Sequence, residues 1–374
     1  MTGNMENRNN GRLLSIDVLR GFDMMFIMGI ASIIICICKL FPGGGDCWLA
    51  EQMRHVPWEG FHQHDTIFAL FLFISGMTFP FSLAKKRERG LTQKSIDLDI
   101  LRRALVLVFF GLVYGGFFQF QFSTLRFPSV LGRIGIAWAA AAFLYCHTGK
   151  KAQCGIAAGI LAGYFLLLKF VTAPDAPAGA DPFSIEGNIA YYIDRTLIPR
   201  HIWKAGIGDP EGLLSTVPAV VTAMLGMFTG RYVKESGDSG EKKTLKMLGA
   251  AAALTVITIV WSIWCPIIKS LWTSTFVTAA AAYSLALFAI FHYLIDVRGW
   301  RKGLLFFQVI GMNSITIYMA QRIISFSGIS QFFLGGLASL FPESIGGIIL
   351  RVGSFTAAWF MLYFLYRKKC FLKV

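Results

Sequence analysis

Charge is scarce in this sequence. Asp, Glu, Lys and Arg make up 15% of its 374 residues. Acidic residues are the scarcest, 21 against 35 basic ones, which leaves a formal net charge of +14. Cysteine is also sparse, at seven, and no two stand in a CxxC pair. So little charge beside 55% hydrophobic residues excludes a disordered chain, a collagen and a coiled coil. The cysteine usage excludes a small disulfide-stapled secreted domain and argues against thiolate metal sites. A basic excess ordinarily raises nucleic acid as a partner. Thirty-four Phe and long uncharged runs instead point to lipid as the solvent, and no nucleic acid is expected.

A bilayer core needs about 20 mainly apolar residues per helix. Ten runs qualify: 15–41, 64–84, 99–121, 128–147, 152–172, 212–232, 246–267, 273–295, 304–325 and 346–366. The expected fold is an all-α integral membrane protein of about ten transmembrane helices. A shorter apolar run, 331–341, is broken by Gly335 and Gly336 and reads as interfacial or re-entrant. Basic residues cluster in alternate loops: Lys85–Arg89, Lys150 and Lys151, Arg231–Lys246, Arg298–Lys302 and the tail from Arg367. The other loops hold few, among them Arg54, Arg126, Arg195, Arg200, Lys204 and Lys269. Lys and Arg concentrate on the cytoplasmic side of membrane proteins, so both termini are expected inside. Residues 1–11 read as a disordered tail, and 12–374 as one transmembrane domain with outer loops at 42–63 and 172–211.

A charge within a span is costly unless paired or wet, and so marks a candidate site. Asp17 and Arg20 sit three apart at the start of the first span, a spacing that suits an ion pair. Asp23 follows one turn later, and Arg133 lies near the outer end of the fourth span. The first outer loop carries His55, then Pro57, Trp58 and Gly60, then Asp65 at the mouth of the second span. His suits proton transfer near neutral pH, and a carboxylate can orient it. The ten-residue separation requires the Pro–Gly segment to turn back. Against catalysis stand an interfacial loop histidine and an aspartate that favours a helix N-terminus. His62, His64 and Asp65 lack the companion ligands of a zinc site, and no metal is expected. Asp209, before Pro210 and Glu211, reads locally as the N-cap of the sixth span. Cys47 and Cys265 both fall near the outer face, where they are placed to pair.

The segments SIDVLRGFDM (15–24), HVPWEGFHQHDTIFALFLFISG (55–76), LGRIG (131–135), GDPEGLLST (208–216), KSLWTST (269–275) and GMNSITIYM (311–319) run through most of the chain. In them the chain resembles the heparan-α-glucosaminide N-acetyltransferase family of multipass transmembrane acetyltransferases and its bacterial relatives. The resemblance implies transfer of acetyl from cytosolic acetyl-CoA to an amino sugar or related glycan on the far side of the membrane. It implies His55 as the catalytic histidine, with Asp65, Arg133, Asp209, Glu211, Lys269, Trp272 and Asn313 lining or supporting the site. Trp58 belongs to the same block. Asp46 ends the Gly-rich stretch where the family's vertebrate members place an Asn. Ala69 and Gly132 depart from the family's usual Pro and Gln. Recognition of a polymer through the large luminal domain of the animal enzymes is not expected to carry over.

An anionic CoA must dock on the inner side. Asp17, Arg20, Arg87, Arg102, Arg103, Arg298 and Arg301 are the candidate contacts there. The partners implied are acetyl-CoA, the glycan acceptor and the lipid of a bacterial inner membrane, with a homodimer left open. The rival readings are a transporter or flippase of an envelope precursor, and an O-acyltransferase acting on an envelope sugar.

Overall fold

The first hydrophobic run folds as α1 (Leu14–Met25), a wide π turn over Phe26–Ile30 and α2 (Ala31–Cys38). Gly29 lies at φ 119° in that turn, a conformation open to glycine and costly for other residues. This computed structural model describes residues 13–203 and 206–372. The expected 1–11 tail and Lys204 therefore lie outside the described residues.

The chain continues through α3 (Trp48–Gln52), α4 (Gln63–Glu88), α5 (Gln93–Tyr114), α6 (Val130–His147) and α7 (Lys150–Phe170). The 172–211 loop contains α8 (Ile189–Leu197). Then follow α9 (Thr216–Glu235), α10 (Gly240–Ser262) and α11 (Ser274–Phe291), which a π turn prolongs to Val297. Next come α12 (Leu304–Met312), α13 (Ser314–Ile323), α14 (Phe326–Ala338) and α15 (Glu343–Arg367). Among the described residues there is no β-strand, and the fold is an all-α membrane protein.

Seven of the helical spans are long and apolar enough to cross a bilayer, and eight if α12 and α13 count as one. That pair meets at 69° around Asn313, so the ninth expected span is a broken helix. Two further expected spans are the helices α5 and α9, which fall short in apolarity rather than in length. α5 starts six residues earlier than expected and takes in Lys94, Asp97, Asp99, Arg102 and Arg103; it stops at the Gly115–Gly116 pair. α9 is threaded through the interior, where Thr222 and Thr229 are shielded from lipid. Gly335 and Gly336 do not break the short apolar segment. α14 runs through both and packs along α15.

The bundle is built around α4 and α11, whose apolar windows are 67% and 72% buried, against 11% for α15. α4 and α9 cross at backbone distance. A Cβ on Gly226 would lie 2.0 Å from the Phe73 carbonyl oxygen, and one on Gly230 2.1 Å from that of Met77. Small residues four apart allow this approach, and van der Waals contact then holds helices that lipid would not drive together.

The basic loops meet at one end of the bundle. Lys86 pairs with Asp99 at 2.8 Å, His147 with Asp97 at 3.1 Å, and Lys150 with Glu235 at 2.9 Å. The opposite end gathers the 42–63 and 172–211 loops. The Trp58 indole donates to the Phe183 carbonyl at 2.9 Å, and Gly60 N–H to that of Ile267 at 2.9 Å. Cys265 is buried and accepts from Thr275 Oγ1 at 3.6 Å, so the expected pairing with Cys47 is not made.

Candidate functional site

Asp65 is the third residue of α4. It accepts from His62 N–H at 3.4 Å, as a capping-box carboxylate does at a helix start. Its side chain is 2% exposed and gathers three more groups. Val56 N–H donates to Oδ2 at 3.2 Å, His55 Nδ1 lies 2.7 Å from Oδ1, and Lys269 Nζ lies 3.3 Å from Oδ1. The turn that the Pro–Gly segment was expected to make is therefore present. It is pinned by Gly60, at φ 132°, to the linker between α10 and α11, which also carries Lys269.

His55 Nδ1 has two neighbours, Asp65 Oδ1 at 2.7 Å and Lys269 Nζ at 3.1 Å. An ammonium can only donate, and an ionised carboxylate can only accept. The shorter carboxylate contact assigns the neutral ring's proton to Nδ1, and Lys269 then donates to Asp65. Nε2 is left with its lone pair, on a side chain 57% exposed. Burial pulls the Lys269 ammonium below its ordinary pKa, and the nearby Asp65 charge opposes that shift.

His55, Asp65 and Lys269 stand at the mouth of a cavity of about 340 Å³. Its mouth is polar, with Trp58, His64, Glu211 and Ser270. Its depth is apolar, lined by Met24, Ile27, Phe68, Phe71, Ile134 and Ile315 from four helices and the π turn of the first span. The His64 ring centroid lies 4.5 Å from that of His55, with the two rings tilted by 50°, while His62 turns to the Arg54 carbonyl at 3.1 Å. Among the described residues no three His, Cys, Asp or Glu side chains converge as metal ligands.

The second wall is fixed by Arg126. Its Nε donates to Asp209 Oδ2 at 2.7 Å, and its Nη2 reaches both Asp209 and Glu211. Asp209 is fully buried and also accepts from the backbone N–H groups of Trp203 and Glu211, at 2.8 and 2.9 Å. It does not cap α9, whose N-cap is Ser215. Two carboxylates hold the Arg126 charge above its ordinary pKa against the penalty of burial. Trp203 lies under the guanidinium at 5.2 Å and reaches the cavity.

Behind this wall Asp194, 1% exposed, accepts from Leu213 N–H at 2.9 Å. Burial raises its pKa from 3.8 to about 6. The fold thus favours the neutral carboxyl. Its contribution is complete below about pH 4 and is lost as pH rises through about 6. Asp194→Asn is expected to be more stable than the native protein above pH 6, by about 2–3 kcal/mol at most. The gap should close towards pH 4, as read by thermal unfolding across pH.

Other expected residues stand apart from the cavity. Arg133 is 2% exposed, donates to Ser215 Oγ and lies 5.0 Å from the Trp272 ring. Trp272 itself is buried, at φ 52°, with its indole on Thr222 Oγ1 at 3.1 Å. Asn313 is 1% exposed and bonds the Val309 carbonyl at the α12–α13 break, while its neighbour Ser314 lines the cavity. These three shape the wall from behind. Asp46 is 92% exposed, 3.6 Å from Arg54, and does not line the cavity. Trp203, Ser270 and Tyr318 were not singled out from sequence. Trp203, in the loop before Asp209, carried no signal beyond being aromatic.

At the basic end a second cavity, of about 450 Å³, is lined by Asp17, Arg20 and Arg103 with Lys85, Lys86 and Arg89. Arg87, Arg102, Arg298 and Arg301 lie outside it. Arg298 donates to its neighbour Tyr293 at 2.7 Å, and Arg301 to backbone carbonyls.

No family model matches the chain. It is 24% identical, over an alignment of 416 positions, to "Heparan-alpha-glucosaminide N-acetyltransferase" of Homo sapiens, and equally to that of Mus musculus. Each alignment takes in 97% of this chain and 60% of the relative, so the chain spans about three fifths of the length of the proteins it matches. At that identity and coverage, the chain is a distant relative of the heparan-α-glucosaminide N-acetyltransferases.

Proposed function

We propose that the protein is a transmembrane acetyltransferase that carries acetyl from acetyl-CoA, entering at the basic end, to an amine on a sugar or related glycan at the other end. The observation that carries this reading is the His55–Asp65–Lys269 cluster above an apolar shaft. A thioester needs a base for its attacking amine and a polar stabiliser for its oxygen, and its pantetheine arm needs a narrow passage. Both cavities open along the α1–α4 seam. Met24 and Phe71 belong to the upper one, Arg20 and Thr78 to the lower. Seven residues of α4 separate Phe71 from Thr78, roughly 10 Å at 1.5 Å per residue. Asp65 and Lys85 are roughly 30 Å apart on the same helix, about the thickness of a bilayer core.

His55 Nε2 takes a proton from the acceptor amine as its nitrogen attacks the thioester carbonyl carbon. Lys269 and the Ser270 hydroxyl are the candidate donors to the developing oxyanion. On collapse the carbon–sulfur bond breaks, and His55 returns the proton to the departing thiolate. Amide and free thiol are the products. Asp65 keeps the imidazole in the tautomer this requires and stabilises the imidazolium. The His55 ring has one free nitrogen at the cavity, which suits direct transfer without an acetyl-histidine.

The test is transfer of labelled acetyl from acetyl-CoA to glucosamine by purified protein in nanodiscs. Labelled N-acetyl product is expected. Product that is an ester would redirect the reading to O-acylation, and no turnover together with vesicle flux of a glycan would sink it in favour of transport. The Lys85→Glu/Lys86→Glu/Arg89→Glu variant should raise KM for acetyl-CoA at least 10-fold with little change in kcat. Those side chains are expected to bind the nucleotide phosphates and not the reacting atoms. An unchanged KM would remove the basic cavity from the donor path.

A further inference from the structure

Cys38 ends α2, and Cys47 follows nine residues later, after the Gly-rich stretch. The intervening chain turns back on itself. Phe41 N–H donates to the Cys38 carbonyl at 3.1 Å, Gly44 N–H to that of Phe41 at 2.9 Å, and Cys47 N–H to that of Gly44 at 3.5 Å. Gly44 passes so close that a Cβ there would lie 1.8 Å from the Cys38 carbonyl oxygen. The turn brings Cys47 back beside the end of α2, where the two free thiols are neighbours and each perturbs the other. The remaining cysteines are placed differently. Cys265 is held by Thr275, Cys36 lies on another face of α2, and Cys146, Cys154 and Cys370 lie at the basic end.

We propose that Cys38 and Cys47 form a disulfide that clasps the His55 loop to the outer end of the first span. Both thiols lie at the end of the bundle that the basic-loop asymmetry assigns to the outside, where thiols become oxidised. The clasp would bear on the site through a short path. Arg54 donates to the Gly45 carbonyl at 2.6 Å and pairs with Asp46, and the next residue is His55.

The chemistry is thiol–disulfide exchange with a protein disulfide oxidant of that compartment. Cys47 is the more accessible thiol, and the Ala50 N–H bonded to its sulfur lowers its pKa, favouring the thiolate. Cys47 sulfur attacks the oxidant's disulfide and forms a mixed disulfide, releasing one oxidant thiolate. Cys38 sulfur then attacks Cys47 sulfur and displaces the second. Two S–H bonds are lost and one S–S bond forms; the two electrons and two protons leave with the oxidant, now a dithiol. The inference needs the outward placement of this loop and does not depend on acetyl transfer.

The experiment is differential alkylation of the full chain in membranes from cells with an oxidising outer compartment. Samples are quenched with one maleimide in non-reducing detergent, then reduced and treated with a second. Mass spectrometry is expected to find the Cys38 and Cys47 peptides linked, two hydrogens lighter than the sum of the free pair, and marked by the second reagent after reduction. Cys154 and Cys370 should carry the first. Cys38 and Cys47 both carrying the first reagent, or either joined to another cysteine, overturns the proposal. Reductant should lower the thermal midpoint of the native protein to that of Cys47→Ser and leave Cys38→Ser, Cys47→Ser and the double variant unmoved. An equal drop in the variants also overturns it. Should the variants fail to insert, the linked peptide in the native chain decides alone.

Discussion

Replacing His55 by alanine is expected to cut acetyl transfer about 10²–10⁴-fold while leaving the protein inserted and folded. The range is what one positioned general base contributes. Folding should survive because the side chain is 57% exposed at a cavity mouth, and the loop keeps its other anchors. Val56 N–H stays on Asp65, Gly60 N–H on Ile267, and Trp58 on Phe183. The Asp65 carboxylate also keeps Lys269 as its counter-charge, so the substitution leaves no buried charge unpaired. The loss should therefore fall on kcat, with KM for acetyl-CoA nearly unchanged, since the basic end is roughly 30 Å away along α4. Single-turnover transfer of labelled acetyl, beside an unchanged thermal midpoint, is the measurement. Near-native turnover in that variant removes His55 from the chemistry.

What was legible in the sequence follows from what is local. A bilayer core imposes the length of a run, so the spans at 64–84 and 346–366 emerge as α4 and α15 with ends shifted by no more than four residues. His55 and Asp65 are ten residues apart, and a Pro–Gly turn between them is a short-range signal. Lys269 reaches the same carboxylate across 204 residues, and Arg126 meets Asp209 across 83. No periodicity encodes such meetings; they follow from which helix lies beside which. The break at Asn313 was illegible for a different reason. Gly311 stands two residues before it but serves close packing, since a Cβ there would lie 2.1 Å from the Asp17 carbonyl oxygen, and the bend accompanies a change of neighbours, α12 packing on α1 and α15, α13 on α5 and the π turn of the first span. Trp272 shows the limit of a motif. The residue is where the resemblance puts it, near the site, but its indole faces Thr222 inside the wall and not the cavity. The cysteines were misread because distance from the bilayer surface was compared rather than the path of the chain. Cys47 turns back to its own helix end before it could reach Cys265.

Asp65→Asn is expected to cost as much activity as the loss of His55, on the order of 10³–10⁴-fold, although the substitution changes no volume. The reason lies in which atoms can donate. The carboxylate accepts from His55 Nδ1, Val56 N–H, His62 N–H and Lys269. An amide has one accepting oxygen and one NH₂ group. With the oxygen kept by the two backbone N–H groups, the NH₂ faces His55 Nδ1 and can only donate to it. The ring proton is then driven to Nε2, the atom that must take the acceptor's proton. Lys269 loses its carboxylate as well, and its ammonium, 3.1 Å from Nδ1, now repels the imidazolium that the reaction forms. Because both variants disable one base, their effects should not add. The His55→Ala/Asp65→Asn double variant should turn over no more than about 10-fold more slowly than the worse single. Losses that multiply would mean that Asp65 acts separately from His55, for instance by holding the loop alone. Asp65→Asn should also lower the thermal midpoint, since the capping carboxylate and its pairing with partly buried Lys269 are lost together. Asp65→Glu separates the two effects. It keeps the charge, the counter-ion and the Nδ1 proton but displaces the ring, so it should recover more of the thermal midpoint than of the activity relative to Asn.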